Sequence, residues 1–191
     1  MAKLKYSIEL VVFEGGRITN TVELPFRSYV HQHVLMMHQS FVNVATAGMV
    51  STTGASFTLT LSGGIDAFVL TAPINVATYG IVLGSGSTPA TINDTKLQSQ
   101  IGHGIGVGQL SHAAVTFTAP GSSSTTASFQ AKRQFTNNSG AAIPISEAAI
   151  YYYGMGTSTT AICGSRDVFS SPFTLATGST VEVRYTFGAT L

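Results

Sequence analysis

Short runs of β-branched and aromatic residues recur along the chain from Ser51 to its end, and clusters of Gly, Ser, Asn or Pro separate them. Runs of this kind are typical of β-strands, because branched and aromatic side chains pack well on a pleated surface. Many short strands beside a single helix predict a mainly β fold, either a β-sandwich or a jelly-roll-like barrel. The predicted strands of this part of the chain are residues 57–61, 68–70, 78–83, 113–118, 128–135, 148–153 and 181–187.

The first 24 residues predict a β-hairpin that ends at Pro25. Apolar residues occupy alternate positions on each side of Gly15-Gly16, where glycine can adopt the positive φ of a tight turn. We interpret residues 1–24 as an assembly arm that precedes a single β-sandwich domain of residues 25–191. Deleting this arm is expected to abolish assembly and to leave the domain folded. The side chains predicted to contact a neighbouring subunit are Tyr6, Ile8, Leu10, Val12, Ile18 and Val22.

Residues 27–46 predict a helix, since Gly and Pro are absent from Arg27 to Ala45. Apolar residues in this stretch are spaced by three or four positions, which places them along one stripe of a helix. Two interpretations remain open: a core helix that lies across a sheet, or a helix at a subunit interface. The stripe consists of Val30, Val34, Met37, Phe41 and Val44.

The chain carries few charges. Only 9% of its 191 residues are Asp, Glu, Lys or Arg, against about 25% in an ordinary soluble domain, and the net charge is +1. This composition provides neither a basic surface for nucleic acid nor an acidic surface for cations. A net charge near zero also promotes association. One interpretation is a monomeric domain with a weakly charged surface; we favour the other, in which much of the surface is buried against copies of the chain or against other proteins.

The sequence gives no reason to expect a membrane partner. Residues 30–49 look the most apolar, but they include three histidines, two glutamines and an asparagine, which are too polar for a bilayer span. Residues 1–13 lack the continuous apolar core of an export signal.

No motif predicts catalysis. The segment from Gly102 to Gly108 has the glycine content of a phosphate-binding loop, but no Lys-Ser/Thr follows it and the next segment is predicted as a strand. We interpret it as a flexible or closely packed connector. The eight carboxylates are scattered, and no serine stands in a Gly-x-Ser-x-Gly elbow. We therefore expect no catalytic residue, no cofactor and no small-molecule ligand.

The histidines and the single cysteine predict no metal site. His31, His33 and His38 lie on the predicted helix, but no two of them have the i, i+4 spacing of helical zinc ligands. Cys163 is alone, so it can form neither an intrachain disulfide nor a cysteine-based zinc site. Structural or interfacial roles are expected for the histidines.

Several charged residues stand among apolar and aromatic neighbours. In a chain with so few charges, this placement predicts partly buried ion pairs that fix a loop or a subunit contact; solvated charges are the alternative. These residues are Asp94, Arg133, Glu147, Arg166 and Asp167.

An aromatic run, Tyr151-Tyr152-Tyr153, falls in a predicted strand. Alternate side chains of a strand face opposite sides of its sheet, so at least one of the three tyrosines should point away from the core. We expect Tyr152 to contribute to a subunit contact; sugar binding is the alternative.

Three blocks of the sequence, taken in order, resemble segments of tailed-phage virion proteins. The first combines GIVLGSG (80–86) with TINDTKL (91–97), in which Asp94 and Leu97 fit an Asp-x-x-Leu pattern. The second and third blocks are RQFTNNSG (133–140) with ISEAAIY (145–151), and SRDVFSSP (165–172) with GSTVEVRYT (178–186). The resemblance implies a component of a virus particle and implies no catalytic residue.

Together, these observations predict a non-enzymatic structural protein of the virion. It would act as a capsid decoration or cement protein, or as a neck or tail accessory protein, through symmetric contacts with copies of itself and with other virion proteins. The alternative is a host-surface-binding module of a tail fibre or spike, which would use residues 102–108 and 151–153. A third hypothesis, an enzyme that depolymerises surface sugars, is disfavoured by the sparse carboxylates.

Overall fold

The computed structural model describes residues 3–25, 29–42, 45–59, 68–154 and 160–191. Within these ranges the fold is mainly β, with one helix, an N-terminal hairpin and antiparallel sheets that do not close into a barrel, which confirms the predicted fold class. The helix is α1 (His31–Val42). The strands are β1 (Lys3–Glu14), β2 (Arg17–Pro25), β3 (Thr46–Val50), β4 (Ser56–Leu59), β5 (Gly80–Gly84), β6 (Ser111–His112), β7 (Thr116–Phe117), β8 (Gly121–Ser122), β9 (Thr126–Thr136), β10 (Ile143–Gly154), β11 (Thr160–Leu175) and β12 (Thr180–Thr190).

The strands form two main sheets and a small third one. The large sheet has the order β2-β1-β12-β9-β6, and β7 and β8 also pair with β9. The three-stranded sheet has the order β11-β10-β5, and β3 pairs with β4.

One hydrophobic core lies between the two main sheets, which is the arrangement of a β-sandwich. Along β1, β12 and β9 every second residue faces this core, so the alternation in the sequence becomes one buried face. The large sheet contributes Ile8, Leu10, Val12, Ala131, Phe135, Val181, Val183 and Tyr185, and the three-stranded sheet contributes Ile81, Leu83, Ile143, Ile145, Ala148, Ile150, Tyr152, Ile162, Phe169 and Leu175.

The three-stranded sheet is buried on its second face as well. Val82, Ala149, Tyr151 and Cys163 point away from the main core and pack with Val30 and Leu97. Burial on both faces explains why β5 and β10 are nearly continuous apolar runs instead of alternating ones.

The predicted division into an arm and a domain is wrong. Strand β1 is an interior strand of the large sheet: it pairs with β12 from Lys3 opposite Thr190 to Phe13 opposite Thr180, and with β2 on its other side. Ile8, Leu10 and Val12 are buried in the core. Deleting residues 1–24 would therefore remove two strands of the sheet and uncover one edge of β12.

The helix buries a different face from the predicted apolar stripe. Val30 is buried just before the helix, but Val34, Met37 and Phe41 are 49%, 39% and 84% exposed. The buried positions are Gln32, His33, Met36 and Gln39. The helix therefore packs one face against the core through Met36, and a role of its exposed stripe at a subunit interface stays a prediction. Residues 27, 28, 43 and 44 of the predicted helix lie outside the described residues. Within the described residues, no helix is long and apolar enough to cross a membrane.

Replacing Leu10 with Ala is expected to lower the free energy of unfolding by about 2–5 kcal/mol, because the substitution leaves a cavity in the shared core. Ile18→Ala is the matched control on the same hairpin. Its side chain is 61% exposed, and a change within about 0.5 kcal/mol is expected. Chemical denaturation measures both values. Equal stability of Leu10→Ala and the wild type would show that the hairpin is independent of the core.

Candidate functional site

An apolar cleft of about 770 Å³ opens at one end of the sandwich, between α1 and the ends of several strands. We call it the aromatic cleft, because most of its large lining side chains are aromatic. Eight are phenylalanines and tyrosines, and His33 and Met37 lie among them. The eight are Tyr6, Tyr29, Phe41, Phe68, Phe117, Phe129, Tyr152 and Phe187.

The cleft forms where the inner face of the large sheet extends beyond the three-stranded sheet that packs against it. Phe129 lies on the same face of β9 as the fully buried Phe135, and Phe187 lies on the same face of β12 as the fully buried Val183. Phe129 and Phe187 stack on each other with ring centroids 5.1 Å apart. Phe129 is nevertheless 37% exposed, so this end of the inner face is open to solvent.

The floor of the cleft is a stack of aromatic rings around His33. The imidazole lies 3.9 Å from the Tyr29 ring, centroid to centroid, and its Nδ1 is 3.3 Å from the Tyr152 hydroxyl. Tyr6 meets Tyr29 edge-on at 5.4 Å. Burial lowers the pKa of His33 to about 4, so the ring is neutral at physiological pH. The floor is therefore aromatic and uncharged.

The rim of the cleft exposes apolar side chains from α1 and β7. Phe41 is 84% exposed, Phe117 is 44% exposed and Met37 is 39% exposed. No Asp, Glu, Lys or Arg lies among the lining residues that the structure describes. This lining can bury apolar groups of a partner, but it has no charged group with which to hold an ionic ligand.

A second exposed apolar feature is the loop of residues 102–110, which we call the knob. Ile105 and Val107 at its tip are 72% and 82% exposed. The loop is closed by hydrogen bonds from Gly104 N–H to the Leu110 carbonyl (3.0 Å) and from Leu110 N–H to the Gly102 carbonyl (3.1 Å). Gly106 N–H also donates to Gln109 Oε1 (3.1 Å). Of the two interpretations of this segment as a connector, the hydrogen bonds support the closely packed one.

Three of the five predicted structural charges form one buried network. Arg166 donates from Nε to Glu147 (2.8 Å) and from Nη1 to Asp94 (2.7 Å). Its Nη2 donates to the Thr88 carbonyl (2.8 Å). Arg166 and Glu147 are buried, and Asp94 is partly buried.

Glu147 uses its remaining acceptor positions to hold the segment that follows β5. Its carboxylate accepts hydrogen bonds from the N–H groups of Gly86 (3.0 Å), Gln98 (3.1 Å) and Ser99 (2.8 Å). A Cβ at Gly86 would lie 2.5 Å from Glu147 Oε1, so glycine is required there. The Glu147 carboxylate thus accepts four hydrogen bonds, which anchor residues 85–99 and leave it no open position for a ligand.

Arg133 is buried, and no carboxylate of the described residues pairs with it. Its guanidinium donates to the backbone carbonyls of Ala113 (2.8 Å), Tyr79 (3.2 Å), Ile81 (2.9 Å) and Val76. Burial lowers its pKa to about 10, so the group is still charged at neutral pH. The predicted ion pair is replaced here by carbonyl oxygens, which fix the loop before β5.

Asp167 lies on the inner side of β11. It is 6% exposed and close to Tyr185. Burial raises the pKa of Tyr185 well above its ordinary value, and the charge of Asp167 adds to that shift. Asp167 therefore lies in the core and not at the surface.

Most of the residues predicted to contact a neighbouring subunit lie inside the protein and not on its surface. Ile8, Leu10 and Val12 are buried in the core, so they cannot contact another subunit in the folded chain. Val22 packs partly buried against that core, and Ile18 is exposed. Tyr6 lines the aromatic cleft, and Tyr152 lies 3% exposed in its floor instead of pointing away from the protein.

A second depression, of about 540 Å³, lies on the far side of β10. The rings of Tyr79 and Tyr153 are 4.8 Å apart in it, and Lys96, Gln98 and Gln100 stand around them. Aromatic faces beside amide groups can bind a ligand that has both apolar and hydroxylated surfaces.

No candidate metal centre is found in the described part of the chain, where no group of three or more His, Cys, Asp or Glu side chains is placed to hold an ion. His103 and His112 do lie together, with His112 N–H 3.1 Å from His103 Nδ1. Cys163 is fully buried, and burial raises the pKa of its thiol.

No protein-family model, no curated protein and no solved structure matches the chain. The relation to tailed-phage virion proteins is therefore still a prediction.

Neither the cleft nor the exposure of the knob was predicted from the sequence. The cleft combines residues from positions 6 to 188, and nothing local marks them as neighbours. The knob did carry a signal: Ile105 and Val107 alternate with glycines, which have no side chain to cover them.

Replacing Asp94 with Asn is expected to destabilise the protein by about 1–3 kcal/mol at neutral pH, since an amide cannot replace a carboxylate beside Arg166. Burial by itself raises the pKa of Asp94, but hydrogen bonds from Thr91 and Arg166 outweigh it and lower the pKa. Because the folded pKa is depressed, the stabilisation is complete above the unfolded pKa of about 4 and is lost as the pH falls through the folded value. The wild type should therefore lose more stability than Asp94→Asn on acidification below about pH 4.

Denaturant unfolding at a series of pH values measures this difference. Glu14→Gln is the control, because Glu14 is exposed at the end of β1 and a change within about 0.5 kcal/mol is expected at neutral pH. Parallel stability curves for the wild type and Asp94→Asn would contradict a stabilising role of the Asp94 carboxylate.

Proposed function

We propose that this chain is a structural component of a tailed-phage particle and acts through protein–protein contacts, with copies of itself and other virion proteins as partners. The observation that carries the proposal is exposed apolar surface at two separate places, the aromatic cleft and the knob. Soluble monomers rarely expose contiguous apolar patches unless the patch binds something. The resemblance of residues 80–97, 133–151 and 165–186 supports the particle as the location.

The distribution of charge supports the same role. Four of the chain's few charged side chains, Arg133, Glu147, Arg166 and Asp167, are buried. The surface consequently has even less charge than the composition suggests, and a weakly charged surface does little to oppose association.

The contacts are made by side-chain patches and not by the hairpin as a free arm. The edge strand of the hairpin, β2, carries Arg17, the exposed Glu23 and Pro25. Charged residues and proline on an edge strand disfavour the addition of another strand. A decoration or cement protein, or an accessory protein of the neck or tail, would use contacts of this type.

Purified particles of the phage that encodes the chain are expected to contain it in many copies. Quantitative mass spectrometry against the major capsid protein measures the copy number. Phe41→Asp, on the rim of the cleft, is expected to reduce incorporation of the chain into particles. The control is Ile18→Asp, which is expected to leave incorporation unchanged, because Ile18 is also apolar and exposed. Recovery of the wild-type chain only in the free lysate fraction, with none in particles, would contradict the proposal.

A second candidate function is a host-surface-binding module, and the depression around Tyr79 and Tyr153 is the feature that favours it. Its amide and aromatic groups suit a neutral polysaccharide. Binding of purified host polysaccharide, followed by calorimetry, would then be lost in Tyr79→Ala and retained in Phe117→Ala. A Tyr152→Ala variant is unsuitable, because Tyr152 is buried. Absence of binding, or equal binding by both variants, would reject this function.

A further inference from the structure

We propose that the knob of one copy of this chain inserts into the aromatic cleft of a second copy, so that subunits associate head to tail. The inference rests on the proposed function and names a second copy as the occupant of the cleft. Four observations carry it: the stiffness of the knob, the chemistry of the cleft, the absence of charge on both, and their positions at opposite ends of the sandwich.

The knob is built to present two apolar side chains. Ile105 and Val107 are more than two-thirds exposed, yet the base of the loop is fixed. Leu110 is fully buried, and His112 N–H donates to His103 Nδ1 (3.1 Å). The side chain of Gln109 fills the inside of the loop, where a Cβ on Gly104 would lie 2.2 Å from its Oε1. A loop that is already ordered loses little conformational entropy when it binds.

The cleft offers the complementary surface. It is open and concave, and it is lined by aromatic rings that are only partly covered. Residues 101–110 contain no Asp, Glu, Lys or Arg, and the described lining of the cleft contains none either. Insertion would bury apolar surface on both sides without removing water from any charge, which is the combination that makes burial favourable.

The two features cannot meet within one chain. Ala127, Ser128 and Phe129 of β9 line the cleft, whereas Ser111 and His112, next to the knob, pair with Thr136 and Phe135. Phe129 and Phe135 are six residues apart on one strand, which is about 20 Å. The knob and the cleft therefore lie toward opposite ends of the sandwich, and a knob can reach only the cleft of another copy.

This geometry determines the type of assembly. The contact joins two different surfaces, so it is heterologous, and an open chain of subunits keeps one free knob at one end and one free cleft at the other until it closes. The result is a closed ring if the rotation between subunits closes and a helical filament if it does not, and either suits a particle component.

Two double variants test the proposal. The knob variant carries Ile105→Asp and Val107→Asp, and the cleft variant carries Phe41→Asp and Phe117→Asp. All four side chains are exposed, so the fold should be retained, and circular dichroism with thermal unfolding checks this. Should either double variant unfold, Val107→Ser and Phe41→Ser replace them as single changes.

Sedimentation equilibrium over about 1 µM to 1 mM is expected to show self-association of the wild type. Each double variant alone should be monomeric, with association weakened by about 100-fold or more, because an unpaired carboxylate would have to be buried in an apolar contact. An equimolar mixture of the two should form a heterodimer and nothing larger, because it pairs one intact knob with one intact cleft.

Other outcomes overturn the inference. A wild type that is monomeric throughout, a knob variant that still self-associates, or a mixture that stays monomeric each excludes knob-to-cleft contact. Ile18→Asp is the control, since Ile18 is equally apolar but outside both surfaces; loss of association in that variant would assign the contact to the hairpin instead. These results are separate from the proposed function, because a chain found in particles but monomeric in solution would still be a particle component that binds other virion proteins.

Discussion

The fold depends on the unequal size of two sheets that share one core. The large sheet presents a long inner face from β1, β12 and β9, and only β5, β10 and β11 lie opposite it. The remaining inner face must be covered by α1 and by connecting segments, because exposed apolar surface is unfavourable in water. That cover is incomplete near Phe129 and Phe187, and the aromatic cleft is the result. The candidate site is therefore a direct consequence of the sheet architecture.

Buried charges hold the connecting segments in place. Long connections carry backbone groups without strand partners, and burying such groups is costly unless they are hydrogen-bonded. Arg133 satisfies the carbonyls of Val76 and Tyr79 in the loop before β5, and Glu147 satisfies N–H groups of the segment after it. Arg166 links Glu147 to Asp94 and completes the network. A chain with few charges thus places several of them inside, which leaves still fewer on its outer surface.

Local patterns predicted some elements well and others poorly. Strict alternation located β1, β9 and β12, because one face of each strand lies in the core and most positions of the other face are more accessible. Strand β11 was missed although it is the longest, since Gly164, Ser165 and Pro172 obscure the pattern and bulges shift its register against β10. The helix lies within the predicted range but is shorter, since Thr46 already belongs to β3, and its buried face differs from the predicted one. Met37 and Phe41 of its apolar stripe are exposed at the cleft, while polar Gln32 accepts a hydrogen bond from the Val50 N–H (2.9 Å).

The sequence by itself determined the mainly β class, the hairpin, the presence of one helix and the selection of Asp94, Glu147 and Arg166 as structural charges. These follow from local periodicity and from the cost of placing a charge among apolar neighbours, both of which can be seen along the chain. Only the tertiary structure decided that β1 of the hairpin is an interior strand of the large sheet, that Arg133 binds carbonyls, and that residues far apart in sequence form the cleft. Those outcomes depend on which strands pair and which faces are left uncovered, and pairing partners distant in sequence leave no local trace.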